Sequence, residues 1–316
     1  MTALTRRIPL LRAWAGLSSS ERSEAIAGYL FISPWIIGFI VFFAGPILAS
    51  LLLSFTRWNI VGDPQWVGVS NYERIFTADP AFKKSVEVTL RYAFFYLPLE
   101  VICGIGVAVA LNQKLRGIGL FRAAFYMPYI VPSVAAALVW VWMLNTRYGV
   151  VNTILGWFGV EGPNWLGNPN YVLPSLILIA LWGVGGSAVI YLAGLQNIPE
   201  HLYEAATVDG AGWAQKFFRI TLPLLTPTIF FQVVLGLIGA FQTFTPAFIA
   251  AGRTGGPLQS GLFYMLYIYN RSFESMRMGY GSALAWIMTV FILVVTLLVF
   301  RSSGYWVHYE AERKRR

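Results

Sequence analysis

Residues 203–227 read YEAATVDGAGWAQKFFRITLPLLTP. Within this polar patch sit two acids, Glu204 and Asp209, the small pair Ala205-Ala206, Gly210, and Leu222-Pro223. Apolar runs of membrane length flank it, over residues 173–195 and 225–250. The patch is therefore a loop returned to water, and the fold follows from how many such runs exist and which side this loop faces. Its composition predicts more than a connector. Asn197-Ile198-Pro199-Glu200 reads as a helix start, with a proline and an acid in the first turn. HLYEAATVD continues that helix, and Gly210 suits a positive-φ stop. Trp213, Phe217 and Phe218 resume helical spacing, and Leu222-Pro223 is expected to end the segment at the membrane entry. The predicted product is a helix–turn–helix with a small, partly apolar, acid-tipped surface. A solvated loop has no need of such a patch, which more often marks a partner site.

The rest of the chain supplies the membrane. Of 316 residues, 57% are hydrophobic and only 12% charged, and the mean hydropathy is +0.62. A soluble domain carries about 25% charged residues. Six runs are long enough to cross as helices: Tyr29–Phe55, Tyr92–Leu111, Ala123–Leu144, Leu173–Leu195, Leu225–Ala250 and Tyr280–Phe300. None alternates with period two, which argues against a membrane barrel. The expected fold class is an all-α integral membrane protein with six transmembrane helices and both termini cytoplasmic. With that orientation the inner segments hold 14 Lys and Arg and the outer segments nine, as the positive-inside rule requires. Residues 1–26 form a cytoplasmic N-terminal segment, 27–300 the six-span domain with its loop at 197–223, and 301–316 a basic cytoplasmic tail. The loop then faces the cytoplasm.

Several chemistries are excluded or disfavoured. The lone Cys103 allows no intramolecular disulfide, and His201 and His308 stand far apart without cysteine partners, so no metal or cofactor site is expected. No G-x-x-x-x-G-K-[ST] occurs, so this chain has no phosphate cradle of its own for ATP. The net charge of +9 reads as loop cations facing anionic headgroups rather than nucleic acid. Glu100 is the one clear acid inside a span, a functional-site candidate by default, although a polar partnership with a neighbouring helix is the favoured reading. Prolines at 34, 46, 98, 128, 132, 174, 227 and 246 break or edge the spans. GVGGS at 183–187 suits either close helix approach or a hinge. Ser18-x-x-Glu21 is a potential capping box, with Trp14 and Leu17 as surface anchors before it. The loops 56–91, 145–172 and 251–279 are long and aromatic enough to present a surface.

The segment Glu204-Ala205-Ala206, Asp209-Gly210-Ala211, Ile220-Thr221-Leu222-Pro223 is similar to the EAA loop of importer-type ABC transporter permeases. GPILASLLLSF at 45–55, FRAAFYMPYIVPSVAAALVWVW at 121–142, YGVVN at 148–152 and TGGPLQSGLFYMLYIYNRSFESMRMGYGSALAW at 254–286 resemble maltose- and glycerol-phosphate-type sugar permeases. Gly281 stands where many such relatives are expected to carry Ala. The resemblance implies that Glu204, Ala205, Ala206, Asp209, Gly210, Leu222 and Pro223 shape a coupling helix that docks on a cytoplasmic ATPase. Small residues permit close docking, and acids can meet Arg or Lys. It further implies a second homologous permease, two ATPase subunits, an extracytoplasmic solute-binding protein and a bacterial or archaeal inner-membrane location, with the chain itself a transport subunit and not an enzyme.

Few charges lie in the spans, which suits a neutral, hydroxyl-rich solute. Sugar sites combine hydrogen-bonding groups with aromatic faces. Candidates for the solute path are Trp182, Ser187, Tyr191, Gln232, Gln242, Thr243, Phe244, Tyr280, Ser282 and Trp286. Gln242 leads, because an amide at that depth needs a partner. The expected function is the permease of an ATP-driven sugar or polyol importer. Glycerol-phosphate or another polar solute is the alternative cargo, and an ion-driven secondary transporter the rival class.

Overall fold

The computed structural model describes residues 18–308 and is almost wholly helical. Helix α1 (Ser19–Ser54) opens on the expected capping box: the Glu21 N–H donates to Ser18 Oγ at 3.3 Å, and the Ser18 N–H to Glu21 Oε2 at 2.7 Å. It therefore begins ten residues before Tyr29, and five residues from Ile40 to Ala44 form a π turn ahead of Pro46. A proline removes a backbone donor, and a π turn is one way a helix absorbs the mismatch. Trp14 and Leu17 lie outside the described residues.

A two-residue hairpin, β1 (Thr56–Arg57) with β2 (Gln65–Trp66), and helix α2 (Ser70–Ala78) fill the first connection. Helix α3 (Pro80–Leu111) then runs for 32 residues, about 48 Å, well beyond the span expected from Tyr92. A bent pair follows, α4 (Ile118–Ile130) and α5 (Ser133–Met143), turned by 96°. The apolar run over 123–144 is thus not one straight span. Val131 precedes Pro132 and is extended (φ −64°, ψ 130°), as a residue before proline prefers. After α6 (Val150–Trp157) comes a second bent pair, α7 (Pro169–Leu181) and α8 (Gly185–Gln196), turned by 51°. Short helices α9 (Glu200–Val208) and α10 (Trp213–Lys216) lead through a π turn into α11 (Leu222–Phe241). Leu222-Pro223 does not end the segment as expected. The π turn at Phe217–Thr221 carries the helix across Pro223. The chain breaks at Gln242–Phe244 and finishes with α12 (Thr245–Ala250), α13 (Tyr264–Tyr269) and α14 (Met278–Trp306). Among the described residues four helices are long and apolar enough to cross a membrane, or up to six if each bent pair is one span.

Helix α3 is the axis of the packing. Around its first half Tyr92, Val172, Leu176, Phe241, Phe263, Leu266 and Leu284 bury one core. Around its last turns Ile105, Ala108, Leu111, Tyr191, Leu195 and Leu225 bury another. The first two-thirds of helix α1 bury none of their residues in this chain, while its last turns pack on α14, where Trp286 Nε1 donates to Ser50 Oγ at 3.1 Å and Ser54 is fully buried. The bare apolar faces of α1, α4 and α5 suit lipid or a further subunit.

One polar cluster pins the start of α3. Asp79 caps it, accepting from the N–H groups of Ala81 and Phe82 at 3.1 Å. The hydroxyls of Tyr267 and Tyr280 also donate to Asp79 Oδ2. Arg271 Nε donates to Tyr267 Oη at 2.8 Å, and its guanidinium lies 4.0 Å from Asp79 Oδ1. Burial pushes the Asp79 carboxyl up, but the two tyrosine hydroxyls, the Phe82 N–H and the Arg271 charge outweigh it and hold the carboxyl below its ordinary value. A lowered folded value means that the unfolded chain binds this proton more readily. The cluster's contribution is therefore complete above the ordinary carboxylate value near pH 4 and is lost as pH falls through the lower folded value. Asp79→Asn is expected to cost about 2–3 kcal/mol at pH 7. In thermal unfolding the gap to wild type should close as the pH drops below about 4.

Candidate functional site: an exposed helix and a polar cavity

Two features stand out, at different heights along α3. At its C-terminal end, opposite Asp79, α9 projects from the bundle. The helix starts after Pro199 and stops at Asp209. Gly210 takes φ +77°, the left-handed conformation that glycine adopts freely. The Ala211 N–H donates to the Ala206 carbonyl at 2.8 Å and the Gly210 N–H to the Thr207 carbonyl at 3.0 Å. Those two bonds are a Schellman stop. Three ties hold the helix from below. Tyr203 Oη and Thr221 Oγ1 are 2.9 Å apart. Lys216 Nζ donates to Thr207 Oγ1 at 2.7 Å, and Lys114 Nζ to Glu200 Oε1 at 2.8 Å. Ile198 is buried in the neighbouring core, with Leu202 and Tyr203 packed against it. Glu204, Ala205, Asp209 and Gly210 are exposed and Ala206 half-buried, on one projecting tip. Leu222 and Pro223 sit at its root, half-buried at the start of α11.

Midway along α3 lies a cavity of about 590 Å³. Tyr92, Tyr96 and Glu100 recur every four residues on α3 and so share one face. Opposite them stand Gln232, Gly236, Gly239, Gln242 and Thr243 of α11 and its broken end. Tyr129 and Ser133 come from the bend between α4 and α5, and Gly183, Gly186 and Ser187 from the bend between α7 and α8. The chain breaks thus surround the space, as irregular backbone in a membrane protein should. Tyr92 and Tyr96 stack with ring centroids 5.2 Å apart.

Of the residues that sequence reasoning placed on the solute path, Gln242, Thr243 and Phe244 line this cavity together, as do Ser187 and Gln232. The others lie elsewhere. Trp182 packs edge-on against Trp140 at 6.2 Å. Tyr191 is fully buried in the core beside Gly104. The hydroxyl of Tyr280 serves Asp79, and Ser282 is half-buried on α14. The sequence reading missed Tyr92, Tyr96, Tyr129 and Ser133. The four-residue spacing of 92, 96 and 100 was the available signal.

Broken helices around a central polar cavity, with one projecting loop helix, are the architecture of a transport permease. The chain belongs to the family of binding-protein-dependent transport system inner membrane components, whose model matches residues 100–307. It is 44% identical to the probable ABC transporter permease protein YesP of Bacillus subtilis (strain 168), over 94% of this chain and 96% of that one. It is 34% identical to the trehalose/maltose transport system permease protein MalF of Thermococcus litoralis, over 90% and 96% of the two chains. It is 31% identical to the arabinooligosaccharides transport system permease protein AraP of Bacillus subtilis (strain 168), over 96% of each. Its fold matches a chain of a bacterial ABC transporter that imports the acidic polysaccharide alginate, with TM-score 0.80 and 24% identity over 93% of this chain and 98% of that one. The protein is a multi-pass membrane subunit of an ABC importer, a transport component rather than an enzyme.

Proposed function

We propose that this chain is the inner-membrane permease of a carbohydrate importer and that α9 is the handle through which a separate ATPase drives it. The cavity carries the cargo reading: Tyr96, backed by Tyr92, and Tyr129 supply aromatic faces for sugar rings, and Gln232, Gln242, Thr243 and Ser133 supply hydrogen bonds. Relatives named for arabinooligosaccharides and trehalose/maltose support a carbohydrate cargo. In this reading α9 faces the cytoplasm, the tip formed by Glu204, Ala205, Ala206, Asp209 and Gly210 docks on the ATPase, and Leu222-Pro223 passes the motion to α11. A second permease covers the bare apolar faces, and a solute-binding protein docks at the Asp79 end. ATP binding brings the ATPase pair together, α9 moves with it, and the bundle is shifted between inward- and outward-open states by differential binding.

Proteoliposomes holding the permease pair, the ATPase and the binding protein are expected to accumulate a neutral oligosaccharide only with internal ATP, unaffected by a protonophore. Uptake that continues without the ATPase and collapses with the protonophore would mean ion-driven transport instead.

A further inference from the structure

Glu100 has an arrangement that a purely structural acid would not keep. It is 7% exposed and lines the cavity, and it is the one acidic side chain among the described lining residues. Its Oε2 has no hydrogen-bond partner. The Ser187 hydroxyl lies beside the carboxyl, and the unpaired Tyr191 hydroxyl interacts with it through space, but the Ser187 hydroxyl also donates to the Val184 carbonyl at 3.0 Å. One hydroxyl has one proton to give, so Ser187 serves the carbonyl or the acid, not both. A helix-to-helix polar clamp, the favoured expectation from sequence, would put a donor on each oxygen. Here Oε2 is left buried and unpaired in the cavity wall beside Gly236, about two-thirds of the way along α3 and a turn beyond Tyr96. Leaving a buried carboxylate oxygen unpaired is unfavourable unless something that enters the cavity completes it.

We propose that Glu100 contacts the solute and sets its charge class. Its carboxylate accepts hydrogen bonds from the hydroxyls of a neutral, polyhydroxylated solute and disfavours an anionic one. The inference rests on reading the cavity as the carbohydrate path. A carboxylate offers two oxygens side by side and can take two hydroxyls of one sugar ring. Such bonds replace those of the water that fills the space when no solute is present. Among the described residues no Lys, Arg or His lines the cavity to neutralise an incoming anion. Two like charges in a partly desolvated space repel far more strongly than in bulk water. Tyr96, backed by the buried Tyr92, then offers a ring face while Glu100 reads the hydroxyls.

The test uses the assembled importer in proteoliposomes. The probes are a neutral oligosaccharide that the binding protein takes and the same oligosaccharide oxidised to a carboxylate at its terminal unit, each saturating the binding protein. Wild type is expected to take up the neutral form at least about tenfold faster. Glu100→Gln keeps the shape and removes the charge, and is expected to bring the two rates within about twofold of each other. Equal rates for the two probes in wild type, or an unchanged ratio in Glu100→Gln, overturn this inference alone. A wild type that takes up neither probe overturns the carbohydrate reading and this inference with it. A second measurement needs no variant. Dicyclohexylcarbodiimide modifies carboxyl groups in apolar surroundings, and its reaction at Glu100, read by mass spectrometry, should fall at least about fivefold when the complex holds the neutral oligosaccharide. Equal modification with and without the oligosaccharide overturns the contact.

Discussion

Glu204→Arg is expected to insert and assemble like the wild type and to lose the stimulation of ATP hydrolysis by the loaded binding protein. The residue is exposed at the tip of α9, away from the ties at Tyr203, Thr207 and Glu200 that hold the helix. Reversing its charge leaves the fold intact and changes only what a docking partner meets. Truncating or reversing a charge at a desolvated interface costs about 2–5 kcal/mol, which is a loss of coupling of about 30-fold or more. Gly210→Pro should give the same functional loss by another route. Its φ of +77° is closed to proline, and its N–H donates to the Thr207 carbonyl. The Schellman stop is removed, and the tip no longer points the same way. Gly210→Ala, which strains the same turn by about 1 kcal/mol and keeps the donor, should retain part of the stimulation. Side-by-side ATPase assays of the three variants check the ordering. Wild-type stimulation in Glu204→Arg would remove the coupling role.

Gly185→Val is expected to be among the most damaging single changes in the bundle. A Cβ placed at Gly185 would meet the Phe125 carbonyl oxygen at 1.9 Å. The obstacle is backbone, so no side-chain rotation relieves it. Either α8 leaves α4 or the 51° bend between α7 and α8 must change. Overpacking of this kind costs about 3 kcal/mol or more, enough to unfold a marginal membrane bundle. The expected readout is loss of the monodisperse complex in detergent, or a fall in Tm of roughly 10 °C. A stable and active variant would show that this contact is not made. The close-approach reading of GVGGS holds at Gly185 and Gly186, and the 51° bend falls in the same stretch.

How far the sequence reaches can be judged element by element. The apolar runs located every long helix, because hydropathy is a property of composition and needs no tertiary partner. The Ser18–Glu21 box and the Gly210 stop were legible for the same reason: both are local, within three to five residues. The 96° turn at Pro132 was not. Proline marks where a helix can bend, but the packed neighbours set the angle. The early start of α3 at Pro80 was hidden because Lys83, Lys84 and Arg91 sit in its first turns, and charge there reads as loop. The Asp79 cluster joins residues 188 and 201 positions apart, beyond any local pattern. The cavity was half visible. Gln232, Gln242 and Thr243 were singled out as polar groups in apolar runs, and Glu100 was noticed but assigned to packing. Tyr92, Tyr96 and Tyr129 resembled the aromatic belt that edges any span, and only the meeting of several helices separates the two roles.

The central claim is that α9 points into the cytoplasm and grips an ATPase. The most direct measurement places a cysteine at Ala205, in a chain whose Cys103 is replaced by serine. The expected result is that a membrane-impermeant maleimide labels position 205 only when it has access to the cytoplasmic side. A short bifunctional thiol reagent should then join position 205 to a cysteine-bearing ATPase subunit and arrest ATP hydrolysis. Labelling from the external side of intact cells, or a complex that turns over normally with no such crosslink, would contradict the account.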